Sequence, residues 1–188
     1  MIARRASFVG ATLAGVMLAV AALAGAQSEP AADPISASAE RSIQLFNTHT
    51  RETVKVVYKR GADYLPDALA KLNHVLIDHR SGDVHDMDPG LFDQLVDLAA
   101  AAGVEPSYEI ISGYRSPESN SSMAARPGSG VSKNSLHMQG RAMDVRLKGV
   151  SVEKLRDLAL AAKRGGVGYY QRSQFVHIDT GSFRTWIG

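Results

Sequence analysis

Three side chains have the types and spacing to do chemistry: His137 and Asp144 in the segment SLHMQGRAMD, and His177 in FVHID. Two imidazoles and one carboxylate can hold a zinc ion while leaving its fourth position to water, the arrangement of a catalytic rather than a structural zinc site. His137 precedes Gly140 and Asp144 lies beyond it, so a turn at the glycine can fold both groups toward one point, with His177 arriving from a neighbouring strand. Zinc held this way polarises a carbonyl and lowers the pKa of its water toward about 7, so no covalent nucleophile is needed. The other four histidines, His49, His74, His79 and His85, fall in connections or on polar helix faces and are assigned no role. An isolated H-x6-D arises often by chance; the combination with a second histidine motif is what singles out these residues.

The elements that must position them read as an α+β order. SIQLFN and TVKVVY alternate apolar and polar residues around THTRE, which predicts a β-hairpin from Ser42 to Tyr58 at the outside of a sheet. Leu65, Leu69, Leu72, Leu76 and His79 recur at helical spacing, and Asp88-Pro89 supplies an N-cap and a first-turn proline for a second helix through Ala102. YEIISGYRS predicts a strand running into a glycine turn, and Ser116 to Asn134 has the Pro, Ser and Gly content of a long loop. Ala142 to Leu147 predicts a strand, Ser151 caps a helix to about Arg164, and VGYY with FVHID predicts a closing hairpin. Gly165, Gly166 and Gly168 read as the end of that helix and a turn. The expected architecture is a small antiparallel sheet with flanking helices.

Composition bounds the rest. The chain has 188 residues, 45% hydrophobic and 21% charged, which is the range of one globular domain. Arg4 and Arg5 precede an apolar stretch from Phe8 to Leu23 that ends in Ala24-Gly25-Ala26, so residues 1–26 read as an export signal, with both the Sec and the twin-arginine routes open. The stretch is too short and too rich in Gly and Ala for a membrane span, so no stable membrane insertion is expected after cleavage. Residues 27–40, QSEPAADPISASAE, read as a flexible spacer, leaving 41–188 as the domain. Removing Arg4 and Arg5 from the 21 basic residues brings them level with the 19 acidic ones, and no long Lys/Arg run remains, so nucleic acid is not an expected partner. There is no cysteine, which excludes disulfides and thiolate metal sites.

Ser135-x-His137-x-x-Gly140-x-Ala142-x-Asp144, followed by His177 and preceded by Ser112-Gly113-Tyr114-Arg115-Ser116, resembles the zinc-binding signature of the LAS-type peptidases, which share the hedgehog/D,D-peptidase fold. LNH at 72–74, DPGLFDQL at 88–95, the GGVGYY run and FVHIDTG are similar to the enterobacterial murein endopeptidase K subgroup, over about residues 41–188. The resemblance implies a periplasmic zinc endopeptidase acting on peptidoglycan cross-links that contain meso-diaminopimelate. It also implies that Arg115 stabilises the oxyanion, as a fixed guanidinium can. Relatives in the dipeptidase branch carry a glutamate base three residues before the last histidine, where this chain has Gln174. Asp179 is the nearest acid: two residues beyond His177 on a strand, it shares that face and is read either as the base or as a carboxylate that orients a ligand. Two other functions suit the same residues: a D,D-carboxypeptidase, and a non-catalytic peptidoglycan-binding module that keeps zinc.

Overall fold

The computed structural model describes residues 39–188; the export signal and nearly all of the spacer expected from the sequence lie outside the described residues. Strand β1 (Glu40–Asn47) and β2 (Thr53–Arg60) form the expected hairpin, followed by a two-residue strand β3 (Asp63–Tyr64). Helices α1 (Pro66–Val75) and α2 (Pro89–Ala102) come next, then β4 (Ser107–Ser112), α3 (Pro117–Ala124) and β5 (Ala142–Leu147). Helix α4 (Val152–Ala162), β6 (Gly166–Tyr170), β7 (Phe175–Asp179) and β8 (Arg184–Ile187) complete the chain.

All eight strands join one sheet in the order β3-β2-β1-β4-β5-β7-β6-β8. The α+β class is as expected, but the sheet is larger than predicted and is mixed, because β1 pairs parallel with β4 and β6 parallel with β8. The first hairpin is therefore not simply peripheral. Ile43 and Leu45 of β1 are fully buried, so β1 gains more by pairing on both edges than by serving as an edge strand.

Period-2 alternation splits each central strand between a core face and an open face. Met143, Val145 and Leu147 of β5, Val176 and Ile178 of β7, and Val167 and Tyr169 of β6 belong to the buried apolar cluster, together with Leu91, Leu95 and Leu98 of α2 and Leu155 of α4. The alternate residues Asp144, His177, Gly168 and Tyr170 face the other way. Helix α2 starts as predicted, with Asp88 accepting from the Gly90 N–H and Pro89 in the first turn.

Helix α1 stops at Val75, short of the predicted His79, because the next residues hold other parts of the chain. The Leu76 carbonyl accepts from the Tyr114 N–H at 2.8 Å, and the buried Asp78 carboxylate accepts from the Ser116 N–H at 2.9 Å. The stretch predicted as a loop from Ser116 contains α3, capped by Ser116, whose Oγ accepts from the Ser119 N–H, with Pro117 in the first turn. Its apolar periodicity is weak, so the cap and proline were its main sequence signals.

Candidate active site

The open face is organised by strand register. Ser112 of β4 lies opposite Asp144 of β5, Asp144 opposite His177 of β7, His177 opposite Gly168 of β6, and Gly168 opposite Trp186 of β8. One cross-strand row thus carries two of the three candidate ligands side by side. The third arrives from a 3₁₀ turn, Leu136–Gln139, capped by the Ser135 hydroxyl. Gly140 ends that turn with φ +65, and the chain reverses into β5. A side chain there would be forced into the Asp86 carbonyl as well as into a backbone region L-residues avoid.

His137, Asp144 and His177 meet as a buried group able to hold a metal ion. His137 Nε2 lies 3.2 Å from His177 Nδ1 and 3.3 Å from Asp144 Oδ1, and His177 Nδ1 lies 2.9 Å from the same carboxylate oxygen. The distal ring nitrogens set the tautomers: His137 Nδ1 donates to the Gly113 carbonyl at 2.8 Å and His177 Nε2 donates to Asp179 Oδ2 at 3.0 Å. Each ring can then offer its other nitrogen, once unprotonated, to a cation at the centre of the triangle. Burial opposes the charged form of Asp144, yet the His137 and His177 rings beside it hold its carboxyl well below the usual range. Burial lowers the His137 pKa despite that carboxylate, whereas for His177 burial is outweighed by hydrogen bonds to Asp144 and Asp179, which raise it.

Asp179 shares the face of His177, as expected for residues two apart, but it reaches the ring nitrogen that points away from the cluster. Its carboxylate, 0% exposed, accepts from five donors: His177 Nε2, both terminal nitrogens of Arg184, and the N–H groups of Gly166 and Gly181. Burial would raise its pKa, but these donors hold it well below the usual carboxylate range. Gly166 is a β-strand residue rather than part of a turn, and a Cβ there would strike both Asp179 and Arg184.

Arg115 is buried next to the cluster, its Nη2 3.7 Å from Asp144 Oδ2, 3.3 Å from the Ser112 hydroxyl, and its Nη1 3.3 Å from Asn120 Oδ1. Its Nε has no hydrogen-bond partner, and burial lowers its pKa against the pull of Asp144. Gln174 sits elsewhere, in the β6–β7 connection with φ 55, its side-chain amide donating to the Gln171 carbonyl. His49 and His79 stack on each other and His85 stacks on Tyr114, all outside the cluster.

A groove of ≈ 1340 Å³ runs over this face, with Arg115, His137, Asp144, His177, Tyr170 and Trp186 in its wall. Tyr170 and Trp186 line it, whereas the neighbouring Tyr169 is buried in the core and donates to Glu153. Strand β8 was not foreseen, although Arg184 and Trp186 alternate in RTWI and both reach the site. Lys133 and Arg126 do not line the groove, and Asp144 is the one Asp or Glu side chain among the described residues that do. No described helix is long and apolar enough to cross a membrane.

Comparison with known proteins accords with this geometry. The chain is 43% identical over 174 residues to the peptidoglycan L,D-endopeptidase MepK of Escherichia coli strain K12, covering 93% of each chain. It is 37% identical over 155 residues to the probable peptidoglycan L,D-endopeptidase MepK of Haemophilus influenzae, covering 82% of this chain and 83% of that one. No solved structure matches significantly. The sequence model of one family matches residues 35–186, a span that contains every residue of the cluster, and the chain belongs to that family, the peptidoglycan L,D-endopeptidase MepK family.

Proposed function

We propose that this protein is a zinc-dependent peptidoglycan endopeptidase that hydrolyses L,D amide bonds in peptide cross-links containing meso-diaminopimelate. The observation that carries the reading is the triangle of His137 Nε2, Asp144 Oδ1 and His177 Nδ1, with sides of 2.9 to 3.3 Å. Zinc bonds of about 2.0–2.1 Å at tetrahedral angles separate neighbouring ligand atoms by about 3.3 Å, so the three donors match one face of a zinc tetrahedron to within a few tenths of an ångström. The donor set, two imidazoles and a carboxylate, is also the kind zinc prefers.

When bound, zinc supplies Lewis acidity toward the scissile carbonyl and acidifies a water for attack. The remaining work falls to the chain. Gly113 and Asp179 hold the two imidazoles in the tautomers that face inward. Arg115, buried and with spare donors, stabilises the negative charge that develops on the carbonyl oxygen. Asp179 acts as a positioning residue for His177, since all five of its contacts are with donors that leave its oxygens no approach to the groove. The open groove accepts an extended peptide over the cluster.

Digestion of purified sacculi, read by mass spectrometry, tests the proposal. Cross-linked muropeptide dimers are expected to become monomers, a chelator to stop the reaction, and added zinc to restore it. Trimming of terminal D-Ala with dimers intact identifies a carboxypeptidase instead; binding of sacculi with zinc retained and no peptide released identifies a binding module. We further propose that residues 1–26 direct export to the periplasm, so that the mature chain begins near Gln27; N-terminal sequencing of fractionated protein checks this, and an intact Met1 in the cytoplasm refutes it.

A further inference from the structure

Asp144 is the one Asp or Glu side chain in the groove wall among the described residues, and Gln174 is turned into its own hairpin. A second hydrogen-bond donor beside Arg115 adds to the stabilisation of an oxyanion. Tyr170 is placed to supply it. Its ring stacks on Phe175, with centroids 4.4 Å apart and planes within 19°, which fixes the direction of the phenol. Its hydroxyl oxygen receives the indole N–H of Trp186 at 3.0 Å. An indole N–H can only donate, so the tyrosine oxygen is the acceptor in this bond and its own proton must point elsewhere. No described group accepts that proton, and Tyr170 lines the groove.

Trp186 is itself held in place by the sheet. Gly168 lies directly beneath it, and a Cβ there would come within 2.5–2.7 Å of three indole atoms. The His177 ring lies 5.0 Å away on one side, and the Arg184 guanidinium 5.2 Å from the indole centroid. Tyr170 and Arg115 line the same groove.

Resting on the endopeptidase reading, we propose that Tyr170 is a further catalytic residue, which donates its hydroxyl hydrogen bond to the oxyanion developing on the scissile carbonyl, and that Trp186 is the positioning residue that aims it. The hydroxyl keeps its proton throughout, so no bond is made or broken in the tyrosine. A donor aimed at charge that exists only in the transition state raises kcat and leaves ground-state binding nearly unchanged.

Tyr170→Phe keeps the stacked ring and deletes only the hydroxyl. On a purified cross-linked muropeptide dimer, kcat is expected to fall about 10- to 100-fold, with KM within about twofold and bound zinc unchanged. Trp186→Phe is expected to cause a smaller fall, and the double variant to be no slower than Tyr170→Phe, because the indole acts only through the hydroxyl. A readout independent of turnover comes from the chain's single tryptophan, which gives one indole N–H signal in a 15N-labelled NMR spectrum of metal-free protein. That signal is expected to shift and to exchange faster with solvent in Tyr170→Phe. An unmoved indole signal, an undiminished kcat or additive losses in the double variant overturns the proposal. Wild-type protein that cleaves no cross-link refutes the endopeptidase reading and this inference with it, whereas active wild-type beside an equally active Tyr170→Phe refutes the tyrosine's role alone.

Discussion

Replacing Asp179 with asparagine separates a positioning carboxylate from a catalytic base. The change preserves shape but turns one of two oxygens into an NH2 group, in a site where all five neighbours are donors. If the amide turns its NH2 toward Gly166 and Gly181, the buried N–H of Gly166 and the half-buried N–H of Gly181 lose their acceptor. If it turns toward His177, the ring must accept at Nε2 and carry its proton on Nδ1, which removes the lone pair from the metal cluster. Hydrogen bonds to a charged acceptor contribute about 1.5–3 kcal/mol each, so losing two destabilises the fold by about 3–6 kcal/mol. Loss of an orienting partner weakens metal affinity about 10- to 100-fold. Both quantities are measurable without turnover, by urea denaturation of the metal-free protein and by zinc competition against a chelator of known affinity. A variant that binds zinc with wild-type affinity and unfolds at the wild-type midpoint, yet has lost catalysis, refutes the positioning role and restores Asp179 as the base.

Other perturbations read other parts of the site. Arg115→Ala is expected to lower kcat/KM about 10²- to 10³-fold with zinc retained, as steady-state kinetics and metal analysis together will show. Gly168→Ala drives a methyl group into the Trp186 ring; overpacking of this kind costs about 1–3 kcal/mol, and a displaced indole is expected to show red-shifted fluorescence and at least about 10-fold slower turnover. Burial opposes ionisation of Asp78, but hydrogen bonds from Ser119, Ser116 and Arg80 lower its pKa from 3.8 to about 2. A depressed folded-state value means this stabilisation, about 2 kcal/mol, is complete above about pH 5 and is lost as the pH falls through about 2. Asp78→Ala is therefore expected to be less stable by about that amount at pH 7, with a shallower loss between pH 4 and 2 in denaturation titrations.

Much of this arrangement is legible in the order of residues, because its causes are local. The H-x-x-G step from His137 to Gly140 encodes a capped turn and a left-handed reversal, and alternation in AMDVRL and FVHID sends Asp144, His177 and Asp179 to one face. Caps at Asp88 and Ser151 mark their helices for the same reason. Pairing between distant strands has no such local cause. That Ser112, Asp144, His177, Gly168 and Trp186 stand in one row depends on the register of five strands, which is selected by packing of the opposite, apolar face against α2 and α4. The parallel docking of β8 beside β6 is what brings Arg184 to Asp179 and Trp186 to Tyr170. Strand spacing could suggest that Asp179 shares a face with His177, but only the assembled sheet surrounds it with five donors. The glycines of β6 read as a turn in isolation; within the sheet they are the low floor over which β8 lays its side chains, since steric room is a property of neighbours that the chain acquires only on folding.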